Sequence, residues 1–509
     1  MNGAIAAGHA KTAEAGTRMF ALGGNAFDAA LAALAAACVV EPVLTSLGGG
    51  GFLLSRRPNG PPVLHDFFVQ TPRQKRHSDD CEFYPITADF GTARQEFHIG
   101  AASIATPGTV KGLIGCHREL GSLPLKEIFA PAIEFARDGV ALNTLQAYIF
   151  SIVAPIYRAT PAAAALYGTE ALQGEGMLFH QPALAETLAW LAEEGAHPFY
   201  EGELAKRLVV LCRDHGGHLT PDDLRNFQVV RRQPLRHRYR GYQVATNPVP
   251  SSGGTLINFA LTALDGQNLA EPGFGSPSHA LLLAEIMAQT NSARHDGMLT
   301  RSAAHRDLLE AYTKGIAGHP KNNRGTTHIS TVDADGNSAS LTLSNGEGSG
   351  HLLPNTGIML NNMLGEEDLN PQGFNAWACD VRVSSMMAPT LAEDDHHLIA
   401  IGSGGSNRLR TAILQTLCNL IDFEMSPEQA VSAPRLHVEC GRLDLEPGWP
   451  AQTVAAINQA HPGYRQWSEK NLYFGGTHTV CWDGKRFSGA GDPRRGGVFA
   501  VYPPIDGNP

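Results

Sequence analysis

The pattern of apolar and polar positions divides the chain into a helical first half and a second half richer in strands. Lys11 to Leu22 is helix-compatible and stops at Gly23-Gly24, where glycine takes the left-handed cap. Asn25 then caps a second helix in which Phe27, Leu31, Leu34 and Cys38 recur at helical spacing. Its other faces are nearly all alanine, so a neighbour can pack very close. After Glu41-Pro42 the chain runs through Gly48-Gly49-Gly50-Gly51 into the strand-like Phe52-Leu53-Leu54. Helices are predicted over Val110–Leu120, Pro124–Asp138 and Pro182–Glu194. Thr220-Pro221 starts a further one, and Pro248 to Gly254 forms a rigid turn before the apolar Thr255–Leu264. Met298 to Gly325 turns polar and reads as an exposed connector.

Beyond it the periodicity changes. Thr326–Asp333 and Ser338–Ser344 read as strands joined by the hairpin signal Asp335-Gly336-Asn337. Leu398–Ile401 is a strand, the glycine-rich Gly402 to Ser406 follows it, and Leu409–Phe423 is a helix. Thr477–Trp482 and Phe499–Tyr502 close the chain as strands. Strands mixed with helices on separate faces predict an α/β or layered α+β architecture.

Composition removes several function classes. With Lys+Arg 39 against Asp+Glu 49 the 509-residue chain carries a formal charge of −10, the wrong sign for a nucleic-acid partner. The longest purely apolar run, Ala29 to Val40, is far short of a bilayer span. Eight cysteines are scattered without CxxC spacing and read as mostly buried thiols. The first residues show neither a basic n-region nor an apolar h-region. This points to the cytoplasm, or to the periplasm if a leader has been removed.

Three short segments carry candidate chemistry. At Gly325-Thr326-Thr327-His328 a polar connector meets a threonine that opens a strand. Were the bond before Thr326 broken, its hydroxyl would be a nucleophile with an α-amine beside it, and such an amine has a pKa of about 8, suited to general-base work. A threonine pair chosen for β propensity explains the same residues. Gly404-Gly405 offers two consecutive N–H groups that could hold an oxyanion, or a simple turn. Ser384-Ser385 offers two hydroxyls to a carboxylate, or a polar loop. The glycine run at 48–51 lacks the Lys-Ser/Thr ending of a phosphate loop. His396-His397 and the Asp214-His215/His218 neighbourhood have no metal-ligand partners at a known spacing and read as surface histidines.

Taken in order, the segments resemble the γ-glutamyltransferase (glutathione hydrolase) family of N-terminal-nucleophile hydrolases. The matching residues are Gly23 to Ala30, Glu41-Pro42 with the glycine run, Thr106 to Val110, Ala130 to Ile133, and Pro250 to Gly254. They continue in Thr326 to Ser330, Asp333 to Asn337, Gly357 to Asn362, Ser384 to Met386, Gly402 to Ser406, and Asp492 to Arg494. The resemblance implies a four-layer αββα sandwich of class α+β and a proenzyme that cleaves itself between Gly325 and Thr326. The products are chains 1–325 and 326–509, paired as a heterodimer of one domain, alone or further oligomerised.

The resemblance also implies the site. Thr326 is nucleophile and, through its amine, base; Gly404 and Gly405 form the oxyanion hole. Ser344, or less well Thr342, supports the nucleophile. Ser384, Ser385, Asn345 and Glu366 bind the polar end of a γ-glutamyl amide, and neither metal nor organic cofactor takes part. The sequence departs from the family at the substrate clamp. Phe68 stands where the family has an arginine for the α-carboxylate, and Met363 stands where it has a polar residue. Losing a charge-assisted bond costs about 1.5–3 kcal/mol. Arg73, Lys75 and Arg76 are candidate replacements for the lost guanidinium. The expected function is a self-processing γ-glutamyl hydrolase/transferase. The alternatives are an N-terminal-threonine acylase with a less polar acyl donor, or a non-catalytic binding relative.

Overall fold

The computed structural model describes residues 1–89, 94–168, 174–295, 325–370, 373–439 and 441–504. The predicted connector from Met298 lies outside them except for Gly325. Local signals did what they predicted in the first half. The first helix runs Ala10–Ala21, and the second, Ala26–Val40, begins with a capping box in which Asn25 and Asp28 satisfy each other's backbone N–H groups. All fifteen residues of that second helix are buried, as its alanine-rich faces allow.

Two antiparallel sheets lie face to face. The first has seven strands, with Gly3–Ala7, Thr327–Asp333, Ser338–Ser344 and Gly50–Arg56 adjacent at its centre. The second has six, with Gly476–Trp482, Leu398–Gly404 and Thr390–Glu393 at its centre. Their inner faces share an apolar cluster that includes Ala4, Phe52 and Leu64 from one sheet and Leu391, Ala400 and Val480 from the other. Alternation puts Ile5, Leu53 and Leu341 on the opposite face of the first sheet, packed under the two N-terminal helices. Val244, Ile399 and Ile401 likewise pack under helices Gly253–Asp265, Pro277–His295 and Leu409–Ile421. The result is the expected αββα sandwich.

The hairpin prediction holds in detail. Asp333 accepts hydrogen bonds from the Asp335 and Asn337 N–H groups and from Asn337 Nδ2, and its other contact, the Ala26 N–H at 2.8 Å, ties the turn to the second helix. The strand that begins at Leu398 runs on through Gly402, Ser403 and Gly404, so the first residue of the Gly404-Gly405 pair is strand rather than turn. Pairing of Gly402 with His478 and Gly404 with Gly476 extends the ladder through residues of poor strand propensity. Of the described cysteines, Cys38, Cys116, Cys212 and Cys418 are buried, and all are free thiols. Among the described residues no helix is long and apolar enough to cross a membrane.

Burial sets the acid stability. Desolvation lowers His9, His65, His218, His279 and His478 from 6.5 to about 4. Between those values the unfolded chain binds more protons, so stability is lost as pH falls through this window, by up to about 1.4 kcal/mol per pH unit for each histidine. Urea midpoints measured from pH 7 to 4 should therefore drop steeply, beginning near pH 6.5.

Candidate active site

Thr326 sits at the open end of the central strand Thr327–Asp333, 4% exposed, where the two sheets meet. Its hydroxyl donates to the Gly325 carbonyl oxygen at 2.8 Å. Ser344, at the end of the paired strand, donates to the same oxygen at 2.6 Å. One peptide earlier, the Gly325 N–H donates to Glu347 Oε1 at 2.8 Å. The junction is thus held by three contacts, two of them on the carbonyl that would be attacked. A side chain at 325 does not fit, because a Cβ would stand 2.5 Å from Val43 O and 2.6 Å from Gly346 O.

Gly404 comes from the second sheet. A Cβ there would lie 2.3 Å from the Thr326 carbonyl oxygen, so glycine is what lets the two backbones touch. Gly405 follows with φ +124°, a region that side chains avoid. Arg495 completes this corner, with Nη1 3.4 Å from the Thr326 oxygen. Burial, reinforced by the neighbouring Arg408 charge, lowers Arg495 to about 10. Behind the strand, Thr327 Oγ1 and Thr12 Oγ1 each donate to Glu41 at 2.6 Å. Burial raises Glu41, against the pull of those hydroxyls and Arg495.

Next to Thr326 is a narrow cavity of about 30 Å³, room for about two waters. Thr326, Ser344, Glu366, Ser385 and Ser406 supply its polar wall; Phe68, Met363, Leu369, Met386, Met387 and Leu409 supply the apolar one. Phe68 is buried and stacks on Phe52 with centroids 5.4 Å apart. The Ser385 hydroxyl accepts the Met387 N–H at 3.1 Å. Glu366 is 1% exposed.

Several expected residues are engaged elsewhere. Ser384 does not line the cavity; its hydroxyl donates to Pro250 O at 2.7 Å. Asn345 is fully buried beside Gly49, with Nδ2 3.4 Å from Met359 O, and lies outside the cavity wall. Thr342 is taken by His328, whose Nδ1 it meets at 2.8 Å, leaving Ser344 as the hydroxyl at the junction. None of the suggested replacement cations reaches the cavity. Arg73 pairs with Asp380, Lys75 binds Asn375 O over the Trp377 ring, and Arg76 binds Gly217 O. The nearer guanidinium, Arg382, is spent on Asp66, Gln228 O and the Phe68 carbonyl.

Sequence reasoning missed Glu347 and Arg495. Glu347 follows two residues after Asn345 and Arg495 just after Asp492-Pro493-Arg494, but only the fold turns them toward the junction.

Residues 12–502 match the family described as gamma-glutamyltranspeptidase. The chain is 32% identical over 482 residues to the acylase ACY 1 proenzyme of Pseudomonas sp. (strain V22), covering 89% of this chain and 86% of that one. It is 30% identical over 499 residues to the glutathione hydrolase proenzyme of Escherichia coli (strain K12), covering 89% and 84%. The cephalosporin acylase from Bacillus halodurans shares its fold with a TM-score of 0.82 at 24% identity, over 98% and 95% of the two chains. The Helicobacter pylori gamma-glutamyltranspeptidase aligns with a TM-score of 0.51 at 28% identity, over 60% of this chain and 88% of that one. With a match that runs nearly end to end and an αββα sandwich around a strand-initial threonine, the chain belongs to the gamma-glutamyltranspeptidase family of N-terminal-nucleophile hydrolases.

Proposed function

We propose that this protein cuts its own chain between Gly325 and Thr326 and then uses Thr326 to hydrolyse or transfer the acyl group of γ-glutamyl amides. The observation that carries the reading is the junction itself, where the Thr326 and Ser344 hydroxyls both donate to the Gly325 carbonyl oxygen. In the cut, Thr326 Oγ1 adds to the Gly325 carbonyl carbon, the C–N bond breaks, and the acyl group passes to oxygen as an ester. Water hydrolyses that ester, giving a Gly325 carboxylate and a free Thr326 α-amine. Ser344 polarises the attacked carbonyl, and Glu347 holds the Gly325 N–H.

Turnover repeats the chemistry on substrate. The α-amine takes the proton from Thr326 Oγ1, which adds to the amide carbonyl; the oxyanion is held by the Gly404 and Gly405 N–H groups. The amine leaves with a proton, and water or a second amine then accepts the acyl group. Ser385 and Glu366 face the cavity and would meet the polar end of the donor. Ser384 and Asn345 would join only by giving up their present contacts.

A second reading is favoured by one feature, the apolar wall. Phe68 stands where the family resemblance puts the clamp arginine, and it lines the cavity with Met363, Met386 and Met387, adaptable thioether side chains that can make room for a less polar acyl chain. An acylase of this kind keeps every step above and changes only the donor.

Intact mass tests the shared part: two polypeptides, one starting at Thr326, are expected, and a chain that stays whole on incubation overturns both readings. Comparing turnover of a γ-glutamyl anilide with that of simple acyl anilides separates them. Phe68→Arg should raise kcat/KM for the γ-glutamyl anilide about 10- to 100-fold by restoring a charge-assisted bond. No gain would count against the missing clamp as the limitation.

A further inference from the structure

Outside the cavity at Thr326, three side chains from distant parts of the chain bring donor atoms close together. Glu82 precedes the strand Tyr84–Asp89, His215 caps the C-terminal end of helix Glu203–Asp214, and His351 lies in the loop beyond strand Ser338–Ser344. One donor atom from each lies within 4.8 Å of the other two. His351 Nε2 is 2.7 Å from Glu82 Oε2, and the two imidazole rings are 5.1 Å apart. His215 is exposed, Glu82 half-buried and His351 buried, so the cluster is reachable from solvent on one side and anchored on the other.

Backbone contacts bring the three together. Gly216, with φ +69°, presses the His215 turn onto the Glu82 segment; a Cβ there would stand 2.4 Å from Asp80 O and 2.8 Å from Glu82 N. The Gly100 N–H donates to Ser349 O at 3.0 Å, joining the His351 loop to the same segment. The Ala101 N–H donates to Glu82 Oε2 at 3.0 Å and orients the carboxylate, as outer hydrogen bonds do for metal ligands.

We propose that Glu82, His215 and His351 bind one divalent transition-metal ion, with Zn²⁺ the probe of choice. Two imidazoles and a carboxylate form a three-ligand zinc set, and water takes the fourth tetrahedral position. Bonds of about 2.0–2.1 Å require donors about 3.3 Å apart, so His351 and Glu82 separate by about half an ångström as the ion replaces their shared proton. A plain ion pair accounts for His351 and Glu82 but leaves the convergence of His215 unexplained. None of the three residues lines the cavity beside Thr326. Glu82 and His215 precede the Gly325–Thr326 bond and His351 follows it, so the ion ties together the two segments that self-cleavage would separate.

The test titrates metal-stripped, full-length protein with zinc chloride by calorimetry, and with cobalt chloride by visible absorption. One Zn²⁺ per chain and the strong visible band of four-coordinate Co²⁺ are expected. His215→Ala, an exposed change, should weaken binding at least about 100-fold, and Glu82→Gln should do so while keeping the side-chain volume. His396→Ala with His397→Ala should leave it unchanged. No saturable uptake, or uptake that survives His215→Ala, overturns the proposal. Binding does not require the cut, so the same titration on an uncut Thr326→Ala chain should give the same result and keeps this test apart from that of the proposed function.

Discussion

Thr326→Ala should emerge as one uncut 54.3 kDa chain with anilide turnover reduced at least about 10⁴-fold. The size of the effect follows from what the residue does twice. In the proposed mechanism its hydroxyl, 2.8 Å from the Gly325 carbonyl oxygen, makes the cut and afterwards accepts the acyl group with its own amine as base. Removing Oγ1 should therefore stop both stages, because Ser344, which donates to the same oxygen, has no α-amine to release beside it. The fold should survive, since Thr326 lies just before its strand rather than within a ladder pair. Thr326→Ser keeps the nucleophile and should still be cut. A Thr326→Ala chain that nevertheless separates into two pieces would show that another group breaks the bond, and the mechanism would fall with it.

The second large effect is expected at Gly404. A methyl group there would stand 2.3 Å from the Thr326 carbonyl oxygen, a distance that backbone atoms cannot tolerate, so the two sheets must shift where they meet. Losing one aligned oxyanion donor costs about 10²–10³ in kcat. Gly404→Ala should fall by at least that much, with KM less affected, measured on protein already shown by mass to be cut. If the variant is cut and turns over at the wild-type rate, the paired N–H groups do not hold the oxyanion. If cutting also slows, the same contact serves processing, because Gly404 packs on the residue that must attack.

Much of the fold was legible because its elements obey local rules. Asn25 and Asp28 make a reciprocal cap wherever they stand, and the period-two runs flanking Asp335-Gly336-Asn337 fold back as one hairpin in any suitable context. Thr326, the proposed nucleophile, was singled out through the family resemblance of its motif. The strand through Gly402–Gly404 was not legible, because tertiary pairing with Gly476–His478 overrides weak propensity. The substrate end was legible only in part: Phe68, Glu366 and Ser385 reach the cavity, while Ser384 and Asn345 bond to the scaffold.

Short-range pattern and spacing in the sequence determined the local elements and a layered mix of helix and strand, while the αββα sandwich and Thr326 as the proposed nucleophile came through the family resemblance of its motifs. The tertiary structure alone decided which hydroxyl meets the Gly325 carbonyl, that Glu347 and Arg495 face the junction, and that Glu82 and His351 close on His215. Side chains hundreds of residues apart become neighbours only when sheets pair and loops dock. Those distances are set by long-range packing, which leaves no period in the sequence to read.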